Sequence, residues 1–155
     1  MARPLRSTFG YGIWHITSRG VDGRPIFLDD ADRFLFLSIL GRVIERFRWR
    51  CHAYCLMGNH FHLVIECPQP ALSDGMERLN GLYAVSFNHR CARVGHLFQR
   101  RFESRAIADE AYLAAACEYV WANPVRSGLC ASRSDWPWSG LGSPSPPRSI
   151  SAESA

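Results

Sequence analysis

The sequence contains no lysine: all 18 of its basic residues are arginine, against 14 acidic ones, for a formal net charge of +4. One reading is a GC-rich genome that encodes arginine in lysine's place. The other is a nucleic-acid partner, because guanidinium groups clamp phosphates in fixed geometry and stack on bases. No apolar run approaches the roughly 18–20 residues that would span a bilayer, so a soluble, cytoplasmic protein with no membrane partner is expected. There is no CxxC pair and no recognisable secretory signal. The six cysteines sit mostly in apolar stretches, which favours reduced, buried thiols over a disulfide framework. No internal repeat is visible. The 155 residues fit one domain, which at this length buries roughly 70% of the surface its unfolded chain exposes and needs no crosslinks.

Tyr11 to Thr17, with Ile13, Trp14 and Ile16, reads as a first strand that stops at Ser18-Arg19-Gly20 and enters an Arg/Gly loop. Asp29 and Asp30 offer acidic caps to a helix in which Phe36, Leu40, Val43 and Phe47 recur at helical spacing, ending near Arg48. Residues 49–57 read as a second strand. Gly58-Asn59 reads as a two-residue turn with positive φ at the glycine, and residues 60–67 as a third strand, with Cys55 opposite His62. Leu56, Phe61, Leu63 and Ile65 mark one face of this hairpin and Ala53 and Val64 the other, so both faces should be covered. Leu72, Met76, Leu79, Tyr83 and Phe87 place a second helix over about 71–90, weakened at Gly81. A basic, aromatic stretch carrying Gln99, Arg100 and Arg101 runs into a short strand near 103–108. Asp109-Glu110 opens a third helix with Tyr112, Ala116, Tyr119 and Asn123 on one stripe, and Pro124 ends or kinks it. From Gly140 the chain is rich in Ser and Pro, which divides it into a domain at 1–139 and a disordered tail at 140–155. The order predicts an α+β, ferredoxin-like antiparallel sheet (βαββαβ) with helices packed on it and a further helix C-terminal to it. That fold hosts many functions and decides none.

The chemistry centres on His60-Phe61-His62. Side chains at i and i+2 of a strand share a face, so two imidazoles about 6–7 Å apart form half a metal site. Tyr119 and Asn123, at i and i+4, share a helix face from which a hydroxyl and an amide oxygen can reach that site.

Four stretches carry a family resemblance: Trp14 to Gly20, His52 to His62, Gly95 to Phe102 and Tyr119 to Leu129. In this order and spacing they resemble the REP-associated tyrosine transposases, of the single-strand DNA nuclease superfamily named for a His-hydrophobic-His motif. The resemblance runs from about Met1 to Trp138. It implies a DNA nicking and joining enzyme in which His60 and His62 bind the metal, Asn123 is the third protein ligand, and Tyr119 is the catalytic nucleophile on the C-terminal helix. The implied cofactor is a divalent ion, Mg²⁺ or Mn²⁺. The implied partner is single-stranded DNA with palindromic hairpins, cut through a 5′-phosphotyrosine by a monomer or homodimer. Arg19, Gln99, Arg100 and Arg101 are the candidate DNA contacts. Two positions depart from the pattern: Gly58 stands where proline often precedes Asn-His, and Trp121, where His or Leu is common, either packs or stacks on a base.

Two other classes compete. A non-catalytic, domesticated DNA- or RNA-hairpin-binding protein would bind without cleaving. A zinc protein would use His60, His62 and Cys55, and Cys55→Ala would then lose the metal.

Overall fold

The computed structural model describes residues 11–144. Its five strands form one antiparallel sheet in the order β4-β1-β3-β2-β5: β1 Tyr11–Arg19, β2 Arg50–Leu56, β3 His60–Pro68, β4 Glu103–Ala106 and β5 Ser139–Leu141. Helices α1 (Asp30–Phe47) and α2 (Gln69–Arg90) connect β1 to β2 and β3 to β4, and α3 (Glu110–Arg126) follows β4. The first four strands follow the split βαβ order of the expected ferredoxin-like sheet, with β3 seated between β1 and β2.

The apolar periodicities explain the layers. Asp29 caps α1 by accepting from the Asp32 backbone N–H at 2.9 Å, and Phe36, Leu37, Leu40 and Val43 turn inward from that helix. The α2 stripe read from the sequence is buried along its whole length, Leu72 to Phe87. These helices cover the sheet face carrying Leu56, Phe61, Leu63 and Ile65, in a core dominated by aromatic and large aliphatic side chains. A Cβ at Gly75 would run into the Trp49 ring, so glycine sets how closely α2 approaches the start of β2. On the opposite face, Ile13, Ala53, Cys55 and Val64 pack against Ala116 and Val120 of α3. Both faces of the hairpin are covered, as their alternation required.

The structure differs from the sequence reading in four places. Strand β1 continues through Ser18 and Arg19, because those residues pair with Phe61 and His60 and do not leave the sheet. Gly58-Asn59 is a two-residue connection, closed by Met57 N–H donating to the His60 carbonyl at 2.9 Å, but neither residue has positive φ. Helix α3 passes through Pro124 and ends at Arg126, since proline removes only one helical donor and the Ser127 N–H still reaches the Asn123 carbonyl at 3.0 Å. Gly140 and Leu141, expected in the tail, pair with Tyr54 and Ala53 as part of β5. Trp136 and Trp138 hold that segment in place: the Trp136 indole donates to the Leu56 carbonyl at 3.0 Å, and Trp138 is buried against Phe34. Residues 145–155 of the expected tail lie outside the described residues.

Among the described residues no helix is long and apolar enough to cross a membrane.

Candidate active site

Strand alternation and register place the candidate residues on the sheet face under α3. Directly opposed residues share a face, so Glu103, Thr17, His62 and Cys55 form one row across β4, β1, β3 and β2. Two residues along the strands, Arg105, His15, Val64 and Ala53 form the next row, and Arg19 opposite His60 begins a third.

His60 is oriented by the turn before it. The Asn59 side-chain N–H₂ points at the Gly23 carbonyl, 3.3 Å away, which leaves Asn59 Oδ1 facing His60 Nδ1 at 2.7 Å. An amide oxygen only accepts, so Nδ1 carries the proton and Nε2 keeps its lone pair. The turn is itself anchored: Gly58 C=O accepts from the Ile26 and Phe27 N–H groups, and Asn59 C=O from the Gly20 N–H.

His62 is buried. Its Nδ1 lies 3.1 Å from both Thr17 Oγ1 and His15 Nε2, so the ring is fixed from one side by two neighbours on β1. The His60 and His62 ring centroids are 5.0 Å apart and nearly perpendicular. Burial, and secondarily Arg19, lowers the pKa of His60 to about 4. Burial lowers His62 to about 3, helped by His60, His15, Arg19 and Arg126. Burial and then Arg105 lower His15. All three rings are therefore neutral at physiological pH, the state in which imidazole binds a metal.

Helix α3 faces this sheet. Asp109 caps its start by accepting from the Tyr112 N–H at 2.7 Å, and the small residues Ala115 and Ala116 leave a cleft of about 420 Å³ between helix and sheet. His15, Thr17, Arg19 and His62 line it from β1 and β3, Glu103 and Arg105 from β4, and Tyr112 and Tyr119 from the helix. The Tyr119 ring is half exposed, with its centroid 6.0 Å from that of His15 and 6.1 Å from that of His62.

The structure thus brings His62, Tyr119 and Arg19 together around the cleft, while His60 neighbours His62 but is not among the cleft-lining residues. Asn123 lies one turn beyond Tyr119, buried, with its Oδ1 3.5 Å from the Ser127 hydroxyl; it is not among the cleft-lining residues. Gln99, Arg100 and Arg101 are exposed on a loop tied to the end of β1, where Gln99 N–H donates to the Arg19 carbonyl at 2.8 Å and Phe98 bridges Gly20. Trp121 packs under Arg133, whose guanidinium lies 4.2 Å from its ring and pairs with Glu118. Cys55 faces the same way as His62 but is fully buried, with its thiol against Met57 and pushed up to about 12 by burial, so it stays protonated and belongs to the apolar cluster. Sequence reasoning did not single out Glu103, Arg105, Thr17 or His15, and named Tyr112 only as a member of the Tyr119 stripe. The alternation of His15, Thr17 and Arg19 on one strand was the available signal.

The donor chemistry fits a divalent ion in part. His60 offers a free Nε2, and His62, engaged at Nδ1, also has Nε2 left. Among the described residues no group of three or more His, Cys, Asp or Glu converges on one point. Imidazole nitrogens suit Mn²⁺ or Zn²⁺ better than Mg²⁺.

The sheet thus sets His62, with His60 beside it, across from the helix-borne Tyr119. Residues 13–123 match the family described as "Transposase IS200 like", and the chain belongs to that family. Within it the likeness is to REP-associated tyrosine transposases. A Haemophilus influenzae protein assigned to that group is 25% identical over 118 residues, which is 67% of this chain and 65% of that protein's length. A REP-associated tyrosine transposase solved bound to a REP hairpin is 22% identical and superposes with a TM-score of 0.70, over 90% of this chain and 82% of that one. A Deinococcus radiodurans protein assigned as a transposase is 16% identical with a TM-score of 0.53, over 76% of this chain and 95% of that one. The α+β fold, with its five-stranded antiparallel sheet and three helices, is shared with the hairpin-bound transposase.

Proposed function

We propose that the chain is a metal-dependent single-strand DNA endonuclease and strand transferase that nicks beside palindromic hairpins through a 5′-phosphotyrosine. The observation that carries this reading is Tyr119, half exposed across the cleft from His62 and His15. The hairpin partner is supported by the solved relative, which holds one.

The Tyr119 oxygen attacks the phosphorus, the bond to the DNA 3′ oxygen breaks, and the phenol proton leaves to solvent or to the departing oxygen. The 5′ end stays on the tyrosine. The phenolate is a tolerable leaving group, so the freed 3′-OH can reverse the step, which conserves the bond for strand transfer. His60 and His62 would hold a Mg²⁺ or Mn²⁺ ion; Asn123, whose Oδ1 faces Ser127, would have to turn toward them to serve as the third protein ligand. Such an ion, when bound, withdraws charge from the non-bridging phosphate oxygens and fixes the phosphorus for in-line attack. Thr17 and His15 hold the His62 ring, and Asn59 holds that of His60. Arg19 at the cleft mouth and the adjoining loop with Gln99, Arg100 and Arg101 supply positive charge for the DNA backbone.

The test is incubation of the protein with a labelled hairpin oligonucleotide and Mn²⁺, resolved on a denaturing gel. The wild type should give a protein-DNA covalent band. Tyr119→Phe should give none while still retarding the hairpin on a native gel, and equal adduct from both proteins would sink the assignment.

A further inference from the structure

Arg126 has no part in the mechanism above, yet no cation in the described structure lies closer to the proposed nucleophile's ring. Its guanidinium carbon is 3.8 Å from the Tyr119 ring centroid, and its Nη2 donates to the Tyr119 carbonyl at 2.7 Å. One side chain thus grips both the backbone and the ring of a single residue. Arg126 is exposed and enters no ion pair among the described residues, so no carboxylate neutralises it or draws it away.

The path of α3 creates this contact. Residues seven apart lie two turns apart on one helix face. Arg126 reaches that position because the helix continues through Pro124; a chain that left the helix at Asn123 would carry the arginine elsewhere. Proline leaves the Val120 carbonyl without its helical donor, and bonds from Ser127 N–H to the Asn123 carbonyl and from Leu129 N–H to the Pro124 carbonyl close the last turn.

We propose that Arg126 is a positioning residue that clamps the Tyr119 ring in one orientation toward the cleft. This rests on the nucleophile role given to Tyr119 above. A half-exposed tyrosine without a partner samples several staggered side-chain orientations, and in-line attack uses one of them. The guanidinium stacks on one ring face, while His15 and His62 meet the ring edge-on from the sheet.

The test compares Arg126→Gln and Arg126→Lys with the wild type, with two independent readouts. The first is the Tyr119 ring signal in protein carrying ¹³C-labelled tyrosine, identified among the five tyrosines by its loss in Tyr119→Phe. Arg126→Gln should shift and broaden that signal and leave those of Tyr54 and Tyr83, buried in the other core, in place. The second is the rate of covalent adduct formation with a hairpin oligonucleotide and Mn²⁺. At saturating DNA the rate should fall on the order of 10- to 100-fold in Arg126→Gln, the scale of a misplaced reacting group. The DNA concentration giving half-maximal rate should stay within about twofold, as for a group that orients and does not bind. Arg126→Lys, which keeps the cation but loses the planar fork that stacks and donates at once, should recover only part of the rate. An unmoved Tyr119 signal in Arg126→Gln overturns the proposal, and so does a glutamine variant as fast as the lysine one. If the wild type forms no adduct, the nuclease reading fails by itself, and the ring signal still decides whether Arg126 holds Tyr119.

Discussion

Replacing Asn59 with alanine should weaken divalent-ion binding with little effect on folding, because the structure separates the two jobs of this residue. Its backbone anchors the β2-β3 turn to the end of β1, accepting from the Gly20 N–H at 2.8 Å, and alanine preserves that bond. Its side chain is exposed and touches only the Gly23 carbonyl and His60 Nδ1. Losing two solvent-accessible hydrogen bonds should cost about 0.5–1 kcal/mol of folding stability. The consequence for His60 is larger. Without an acceptor at Nδ1 the proton redistributes between the two ring nitrogens, and the ring loses its angular restraint. Partners that orient a ligating histidine are typically worth 10- to 100-fold in metal affinity, and solvent access here points to the lower end, about tenfold or ~1.4 kcal/mol. Mn²⁺ titration by calorimetry gives the affinity, urea denaturation the stability, and ¹⁵N shifts of the His60 ring the tautomer. Asn59→Asp, which retains an acceptor, should keep the Nδ1–H form. An alanine variant that binds Mn²⁺ like the wild type and keeps the Nδ1–H tautomer would refute the reasoning.

Two further predictions concern the scaffold. Gly75→Ala forces a methyl group against the Trp49 ring and should destabilise by about 1–3 kcal/mol, as overpacking does; a denaturation midpoint equal to the wild type's would show that α2 shifts freely. Burial, as the first cause, pushes the thiols of Cys51 and Cys67 up to about 12 from an ordinary 9. Their folded pKa values are raised, so this stability is fully present below pH 9 and is lost as pH rises toward 12, by up to about 1.4 kcal/mol per pH unit for each thiol. The thermal midpoint should therefore fall over that window, and less steeply in Cys67→Ala; identical slopes would count against the buried thiol.

The sequence made most of the fold legible because its apolar spacing is strong where burial is strong. The α2 stripe from Leu72 to Phe87 and the two-sided hairpin each had one way to satisfy their pattern. Local rules failed where tertiary pairing outweighed them: Arg19 and Leu141 look like loop residues until their partners on β3 and β2 are known. At the site, spacing alone put His60 and His62 on one face and Tyr119 and Asn123 on another. That the histidine pair meets the tyrosine was implied by the resemblance, and the structure brings His62 to Tyr119. Glu103 and Arg105 escaped because their membership in the cleft depends on the register of β4 against β1, which neither motif nor periodicity encodes.

The two faces of the sheet are unequal. One side is filled by large aromatic and aliphatic groups from two long helices, the other by a few small ones from α3, with polar residues over the rest. The molecule therefore keeps most of its large apolar groups on the face away from the candidate site. On the proposed reading, substitutions at the polar cleft positions change activity before they change stability, and a variant dead in the assay can still be a well-folded one.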